Sequence, residues 1–97
     1  MSAYVIFQAD ILDPEQYFGE YVGKAGASIA AAGGRLIAGG GRTEALEGEP
    51  PMNHNVVVEF PSMDAALDWY RSEEYTQIRK LRANAASTRM YVVDGTG

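Results

Sequence analysis

Cysteine is absent from this chain of 97 residues, and histidine occurs once, as His54. Without cysteine there is no disulfide, thiolate nucleophile or iron–sulfur cluster, and most structural zinc sites are excluded too. A lone histidine without a Gly-x-Ser-x-Gly motif gives no nucleophile–base pair. An enzyme built from this sequence would therefore need proton transfer by tyrosine, histidine or glutamate, or a substrate that itself reacts with oxygen.

Basic residues are also scarce, with 8 Lys and Arg against 13 Asp and Glu, for a net charge of −5. Because an acidic surface repels phosphate backbones and anionic lipid headgroups, we expect neither nucleic acid nor a membrane as partner. No apolar run approaches the roughly 18 residues of a membrane span. The N-terminal segment lacks a basic region, so we expect no signal peptide and a cytoplasmic location.

Metal and phosphate motifs are missing as well. The spacing of Glu44, Glu47 and Glu49 matches no calcium loop. The glycines at 39–41 fit neither a P-loop nor a dinucleotide-binding fingerprint, and bending of the backbone explains them better. We predict no metal and no bound cofactor.

Four segments have the composition of β-strands within a single domain over 1–97. They are residues 3–9, 35–48, 54–60 and 88–94. Gly39 to Gly41 interrupt the second of them, which predicts a bulge or a sharp bend there.

Two helical regions separate these strands. The first begins with Asp13 as N-cap, Pro14 at the first helical position and Gln16 placed as in a capping box. Its apolar stripe comprises Phe18, Val22, Ala25, Ile29 and Ala32. The second begins after Ser62 and breaks near Ser72. The order βαββαβ predicts an α+β ferredoxin-like plait, a four-stranded antiparallel sheet with helices on one face.

Both faces of this sheet are apolar by sequence. Tyr4 and Ile6 lie on one side of the first strand, and Val5 and Phe7 lie on the other. Because the helices cover only one face, the other would leave a large exposed apolar patch. We therefore predict a homodimer whose sheets pack face to face. Burying about 600 Å² of apolar surface per chain would contribute about 15 kcal/mol before association costs.

Two polar residues, Gln8 and Glu59, interrupt the apolar strands, and the sequence does not fix their orientation. We expect them to be paired across the dimer or at the wall of a cavity rather than exposed.

Several segments resemble a known bacterial family, the domain of unknown function 1330, within the dimeric α/β-barrel superfamily. They are "DPEQYFGEY", "GGRLIAGGG", "LEG" and "VVVEFPSMDAALDWYRSEEY", with the closing pair Arg79 and Arg82. The resemblance covers nearly the whole chain, and the EFPS–helix–WYRSEEY block is its most specific part. Glu73 stands where the family commonly has proline.

The resemblance implies the plait, face-to-face dimerisation and a small pocket between helices and sheet. It implies no activity. Distant members of the superfamily include cofactor-independent monooxygenases, lactone isomerases and heme-degrading enzymes, and transferring their chemistry would be analogy from fold.

Five residues are candidates for a ligand site: Tyr21, His54, Tyr70, Arg79 and Arg82. His54 is interpreted first as an exposed or hydrogen-bonded residue at a strand end, and second as an acid or base at a pocket rim. For Tyr21 we favour packing with Tyr17, both hydroxyls reaching water or the backbone, over a place in a pocket. Tyr70 continues an apolar helix face and is expected in the core.

Arg82 is the one charge expected to be partly buried. On the last helical segment Tyr75, Ile78 and Arg82 share a face with Arg79, while Lys80 points away. A partly buried arginine usually pairs with a carboxylate, and Glu59 and Asp94 are the candidates. The alternative is a guanidinium that orients a carboxylate or enolate of a ligand.

The sequence thus predicts a cytoplasmic homodimer that binds a small organic acid or aromatic molecule between its helices and its sheet. A cofactor-independent enzyme, monooxygenase- or isomerase-like, acting on a small aromatic or lactone-like substrate is the alternative. A purely structural or assembly role is the third hypothesis.

Overall fold

The structure, a computed structural model, describes residues 1–96 and consists of one four-stranded antiparallel sheet with helices on one face. The strands are β1 (Ala3–Ile11), β2 (Arg35–Gly39), β3 (His54–Phe60) and β4 (Ala86–Asp94). Their order in the sheet is β2-β3-β1-β4. The predicted ferredoxin-like plait is confirmed. Over residues 1–96, none of the helices has the length and apolar character needed to cross a lipid bilayer.

The first helix is continuous but changes type along its length. It comprises α1 (Pro14–Gln16), a π-helical turn (Tyr17–Tyr21) and α2 (Val22–Ala31). The side chain of Asp13 accepts a hydrogen bond from the backbone N–H of Gln16 at 3.2 Å, as expected of an N-cap. The predicted capping box is incomplete, because the Gln16 side chain does not accept from the backbone N–H of Asp13, which donates to the carbonyl of Ala85. The Gln16 amide donates instead to the carbonyl of Leu81 at 3.0 Å, which ties the two helical regions together.

The π-helical turn changes which face of the first helix is buried. The N–H of Val22 bonds to the carbonyl of Tyr17, five residues back. Tyr17 and Tyr21 are therefore buried, whereas Phe18 is 52% exposed and Val22 is 40% exposed. The prediction that Phe18 and Val22 head the buried stripe is wrong, because a regular 3.6-residue period does not allow for a π turn.

The second helical region comprises α3 (Met63–Arg71), α4 (Glu73–Arg79) and a 3-10 turn (Lys80–Arg82). Ser62 caps α3 by accepting from the N–H of Ala65 at 3.1 Å. Ser72 ends α3 and caps α4, accepting from the N–H of Tyr75 at 3.1 Å. The predicted break at Ser72 is confirmed.

The second strand is shorter than predicted. It ends at Gly39, and its irregularity lies between Leu36 and Ala38 rather than at Gly39 to Gly41. Residues 40–53 form no helix or strand. The N–H of Gly40, whose φ is +72°, donates to the carbonyl of Asn55 at 3.0 Å, and this turns the chain away from the sheet.

The two faces of the sheet both carry apolar side chains, as predicted. Val5, Phe7, Val58 and Phe60 are buried beneath the helices. The open face is defined here as the side of the sheet without helices, and its apolar residues are Tyr4, Ile6, Val57, Tyr91 and Val93. Tyr91 is 58% exposed and Val93 is 48% exposed, so the apolar patch at this edge of the open face is uncovered in the single chain.

Gln8 and Glu59 also lie on the open face and are satisfied within the chain. The Gln8 side-chain oxygen accepts from the N–H of Met52 at 3.4 Å. Glu59 accepts from Arg35 at 2.7 Å and from the Tyr4 hydroxyl at 3.2 Å. Neither lines the cavity on the helix-covered side of the sheet, so of the two expected arrangements the pocket wall is wrong, and pairing across a dimer stays a prediction.

Candidate functional site

A cavity of about 470 Å³ lies between the first helix and the helix-covered face of the sheet. Its sheet wall consists of Val5, Phe7, Val56, Val58 and Met90. Its helix wall includes Phe18, Tyr21, Val22, Ala25 and Ile29, and Trp69 also lines it. Most of the surface is thus aliphatic or aromatic, which is typical of sites for small organic ligands.

The mouth of this cavity carries exposed apolar side chains. Phe18 and Val22 of the first helix and Leu36 of β2 all line it, and Leu36 is 63% exposed. The place of Phe18 and Val22 at the mouth explains why the predicted stripe of the first helix is apolar although its N-terminal half is not buried. Phe18 and Val22 face an open cavity rather than a packed core.

The wall also includes two residues with polar side chains, Tyr21 and His54, together with Trp69 and Arg35, whose polar groups are paired elsewhere. The indole N–H of Trp69 donates to the Ser28 hydroxyl at 3.0 Å, and that hydroxyl donates to the carbonyl of Ala25 at 2.7 Å. Arg35 is 74% exposed at its side chain and paired with Glu59. The polar chemistry of the cavity therefore rests on Tyr21 and His54.

His54 opens β3, as predicted, and also lines the cavity. Its ring packs edge-on against Tyr17 and Phe18, with ring centroids 5.6 and 5.7 Å away. Burial lowers the pKa of the His54 imidazole from its ordinary value of 6.5. The ring is therefore neutral at pH 7 and able to accept one proton.

Tyr21 is 6% exposed, so the favoured prediction that its hydroxyl reaches water or the backbone is wrong. The hydroxyl forms a hydrogen bond with that of Tyr75, with the two oxygens 2.5 Å apart. Tyr75 is fully buried and stacks on Trp69, at a centroid distance of 4.1 Å. Burial, with the neighbouring Tyr75, raises the pKa of Tyr21 far above its usual value of 10.0, so this phenol stays protonated. Burial also raises the pKa of Tyr17, to about 12.

Arg82 is 7% exposed, more deeply buried than predicted. One of its terminal nitrogens donates to the Thr88 hydroxyl at 3.0 Å. Its guanidinium carbon lies 5.3 Å from the ring centroid of Tyr21 and 5.4 Å from that of Phe7. The Nε atom of Arg82 is buried and has no hydrogen-bond partner within residues 1–96.

The prediction that Arg82 pairs with a carboxylate is wrong. Glu59 lies on the open face with Arg35, and the exposed Asp94 pairs with Ala3 at the other end of β4 from Thr88. Burial by itself would lower the pKa of Arg82, but the nearby hydroxyls of Tyr75 and Tyr21 more than offset this and raise it. Arg82 therefore remains a cation.

Tyr70 and Arg79 lie apart from this group. Arg79 donates to the Tyr70 hydroxyl at 2.5 Å, and its guanidinium carbon is 4.9 Å from the centroid of the Tyr70 ring. Tyr70 is half-buried and lines a separate cavity of about 120 Å³. The structure thus brings Tyr21 and His54 to the wall of one cavity, with Arg82 packed behind the wall rings of Tyr21 and Phe7, and it does not bring Tyr70 and Arg79 there.

Tyr75 and Trp69 were not predicted as site residues. The helical spacing of Tyr75 with Ile78 and Arg82 predicted only that Tyr75 belongs to a buried face. No local sequence signal shows that its hydroxyl meets a side chain 54 residues away. In the part of the chain that the structure describes, no three His, Asp or Glu side chains come together to hold a metal ion.

The family model of a domain of unknown function (DUF1330) matches residues 2–96. The chain belongs to this family. No curated protein matches this DUF1330 chain significantly.

Solved structures share the DUF1330 fold at low sequence identity. The RPA0582 protein of unknown function from Rhodopseudomonas palustris is 19% identical, with a TM-score of 0.71 over 99% of this chain and 83% of its own. SnoaB from Streptomyces nogalater, a cofactor-independent oxygenase, is 10% identical, with a TM-score of 0.68 over 99% and 94%. A dimeric protein of unknown function with a ferredoxin-like fold from Bacteroides fragilis is 16% identical, with a TM-score of 0.60 over 97% and 96%. At these identities the likeness concerns the fold alone.

Proposed function

We propose that this DUF1330 protein binds a small aromatic molecule or organic acid in the cavity between the first helix and the sheet. The observation that carries the proposal is a cavity of about 470 Å³ that is already open in the single chain. Its apolar walls suit a fused or substituted ring, while Tyr21 and His54 supply the few directed polar contacts such sites use. Tyr70 and Arg79 are left out of the proposed site.

Two glycines of α2 provide a matched test of binding. A Cβ added at Gly26 or at Gly23 would meet nothing within 4 Å, so both helix positions accept a larger residue. Gly26 lines the cavity and Gly23 does not. Gly26→Leu should therefore narrow the cavity, while Gly23→Leu changes the same helix outside it.

The probe for this test is 2-naphthamide, a neutral aromatic, measured by isothermal titration calorimetry. We expect the wild type and Gly23→Leu to bind it alike, and Gly26→Leu to bind at least about tenfold more weakly. Circular dichroism melting shows whether both variants remain folded. A wild type that takes up no probe, or equal binding by both variants, contradicts the proposed site.

The proposal includes a homodimer formed through the open face, and a cytoplasmic location stays a prediction. Tyr91 and Val93 expose apolar surface there, and the similar Bacteroides fragilis protein is described as dimeric. Analytical ultracentrifugation should give twice the chain mass of 10.5 kDa. Tyr91→Arg should shift the equilibrium toward single chains, whereas Gln77→Arg, an equal charge change at an exposed position of α4, should not. A stable monomer in dilute buffer rules the dimer out.

A cofactor-independent enzyme is the second candidate. Two observations favour it: the fold resembles that of the oxygenase SnoaB, and a neutral imidazole, His54, lines the cavity as a proton acceptor. Oxygen uptake with 1,4-dihydroxynaphthalene, which reacts with oxygen by itself, should then exceed the buffer rate, and His54→Gln should lower kcat. Rates equal to buffer favour the binding protein. If the protein neither binds the aromatic probe nor speeds oxygen uptake, the third hypothesis, a purely structural or assembly role, is the one that remains.

A further inference from the structure

We propose that the cavity takes its ligand as an anion, with Arg82 supplying the positive charge from behind the cavity wall. This inference rests on the proposed function and narrows the ligand to an aromatic weak acid in its ionised form. Such an acid is a carboxylate, an enolate or a phenolate. Arg82 is then a positioning residue, because it acts on the ligand through Tyr21 rather than by contact.

The charge on Arg82 is buried without a counter-ion. Across the described residues, no carboxylate forms an ion pair with it. Its side chain is as buried as Tyr21, and its Nε atom has no partner. A buried charge is costly unless it is paired and fully hydrogen-bonded, and here the protein supplies only neutral groups: the Thr88 hydroxyl, the nearby hydroxyls of Tyr75 and Tyr21, and two aromatic faces. A negative charge nearby would compensate it.

The cavity is where such a charge can come closest. The two rings against which the guanidinium packs, those of Phe7 and Tyr21, are both wall residues of the cavity. In the proposed complex these rings lie between the cation and the ligand. Because Arg82 and the two rings are buried and the cavity wall is apolar, the attraction across a ring is less screened than between groups at a surface.

The hydroxyls of Tyr75 and Tyr21 connect the cation to the ligand. Both lie close enough to Arg82 to raise its pKa, as acceptors facing a guanidinium do. Tyr75 can donate to Tyr21 across the 2.5 Å contact. In the proposed complex Tyr21, a residue of the cavity wall, donates its proton to a ligand oxygen, and each bond in such a chain polarises the next.

The test compares two probes of one shape that differ in charge, 2-naphthoate and 2-naphthamide, by calorimetry at neutral pH with the full chain. The wild type should bind the carboxylate about tenfold more tightly than the amide. Arg82→Met should bring that ratio to about one without changing the affinity for the amide by more than about twofold. A merely structural role for Arg82 would weaken both probes together.

Arg79→Met is the matched control. It removes the same charge from a neighbouring helical turn, at a side chain held by Tyr70 away from the cavity. We expect it to keep the preference for the carboxylate. If Arg82→Met does not fold, Tyr21→Phe decides instead, because it keeps the cation and removes the donor: it should lower the preference for the carboxylate while the amide still binds, and an unchanged preference would overturn the inference.

The outcomes separate the two proposals. Equal affinity of the wild type for both probes, or an unchanged preference in the folded Arg82→Met variant, overturns the anion inference and leaves the binding function standing. A wild type that binds neither probe overturns both. Loss of the preference in Arg79→Met as well would show that overall charge, rather than Arg82, sets it, and would also overturn the inference.

Discussion

Replacing Tyr75 or Tyr21 by phenylalanine leaves one buried hydroxyl without its hydrogen-bond partner. Tyr75 is fully buried, and Arg82 beside it has only donors, so the Tyr75 proton has no other acceptor once Tyr21 loses its oxygen. Tyr21→Phe should therefore destabilise the fold by about 2–3 kcal/mol, toward the upper end for an orphaned buried group. Tyr75→Phe should lower the free energy of unfolding by only about 1–2 kcal/mol, because water in the cavity can reach Tyr21.

The double variant distinguishes a real hydrogen bond from two independent packing effects. Removing both hydroxyls leaves neither tyrosine position with an unpaired group, so the combined loss should be smaller than the sum of the single losses by about 1 kcal/mol or more. In a domain of this size each kcal/mol corresponds to about 4–8 °C in Tm.

Urea unfolding followed by circular dichroism is the suitable assay. Tryptophan fluorescence is less suitable because the ring of Tyr75 stacks on Trp69, with centroids 4.1 Å apart. All variants should be compared at one protein concentration, since the proposed dimer would make stability depend on it. Single losses below about 0.5 kcal/mol, or a double loss that equals the sum within about 0.5 kcal/mol, would refute the reasoning.

Two further predictions concern pH and packing. Because burial lowers the pKa of His54 below 6.5, its contribution to stability is complete above that value and is lost as the pH falls through the folded-state pKa. His54→Gln should thus lose less stability than the wild type between about pH 7.5 and 5.5 in urea unfolding, and equal losses would contradict this. At Gly34 a Cβ would lie 2.8 Å from atoms of Ile29 and Phe60, so Gly34→Ala should destabilise the fold by about 1–3 kcal/mol. Gly23→Ala, in an open helix position, should stabilise it by up to about 1 kcal/mol, and a thermal melt in which the two changes have the same sign would contradict the packing argument.

The fold was predictable from sequence because local signals and global pattern agree along the chain. Ser62 and Ser72 cap helices where the sequence indicates, and apolar residues on both sides of β1 correctly predict two apolar sheet faces. The errors lie where a periodic pattern is locally broken. The π turn shifts burial from Phe18 to Tyr17, and a bulge shortens the regular part of β2.

The candidate site was only partly predictable. Of the residues singled out from the sequence, Tyr21 and His54 line one cavity, and Arg82 lies behind its wall. Their interactions depend on contacts between distant segments, such as the bond from Tyr21 to Tyr75, and no local pattern encodes them. Arg82 was expected to pair with a carboxylate because that is the usual solution for a buried cation, whereas here it packs on rings and a hydroxyl.

The π-helical turn at Tyr17–Tyr21 also bears on how relatives of this protein should be compared. Deleting one residue there would restore α-helical register and rotate everything on its N-terminal side by about 100° around the helix axis. Tyr17 would then take the orientation that Phe18 now has, Phe18 would turn on by the same angle, and a differently shaped hollow would result without any change to the sheet. Under the proposed function, homologues that are one residue shorter in this segment are expected to bind different small molecules, so an alignment gap here marks a change in the shape of the cavity.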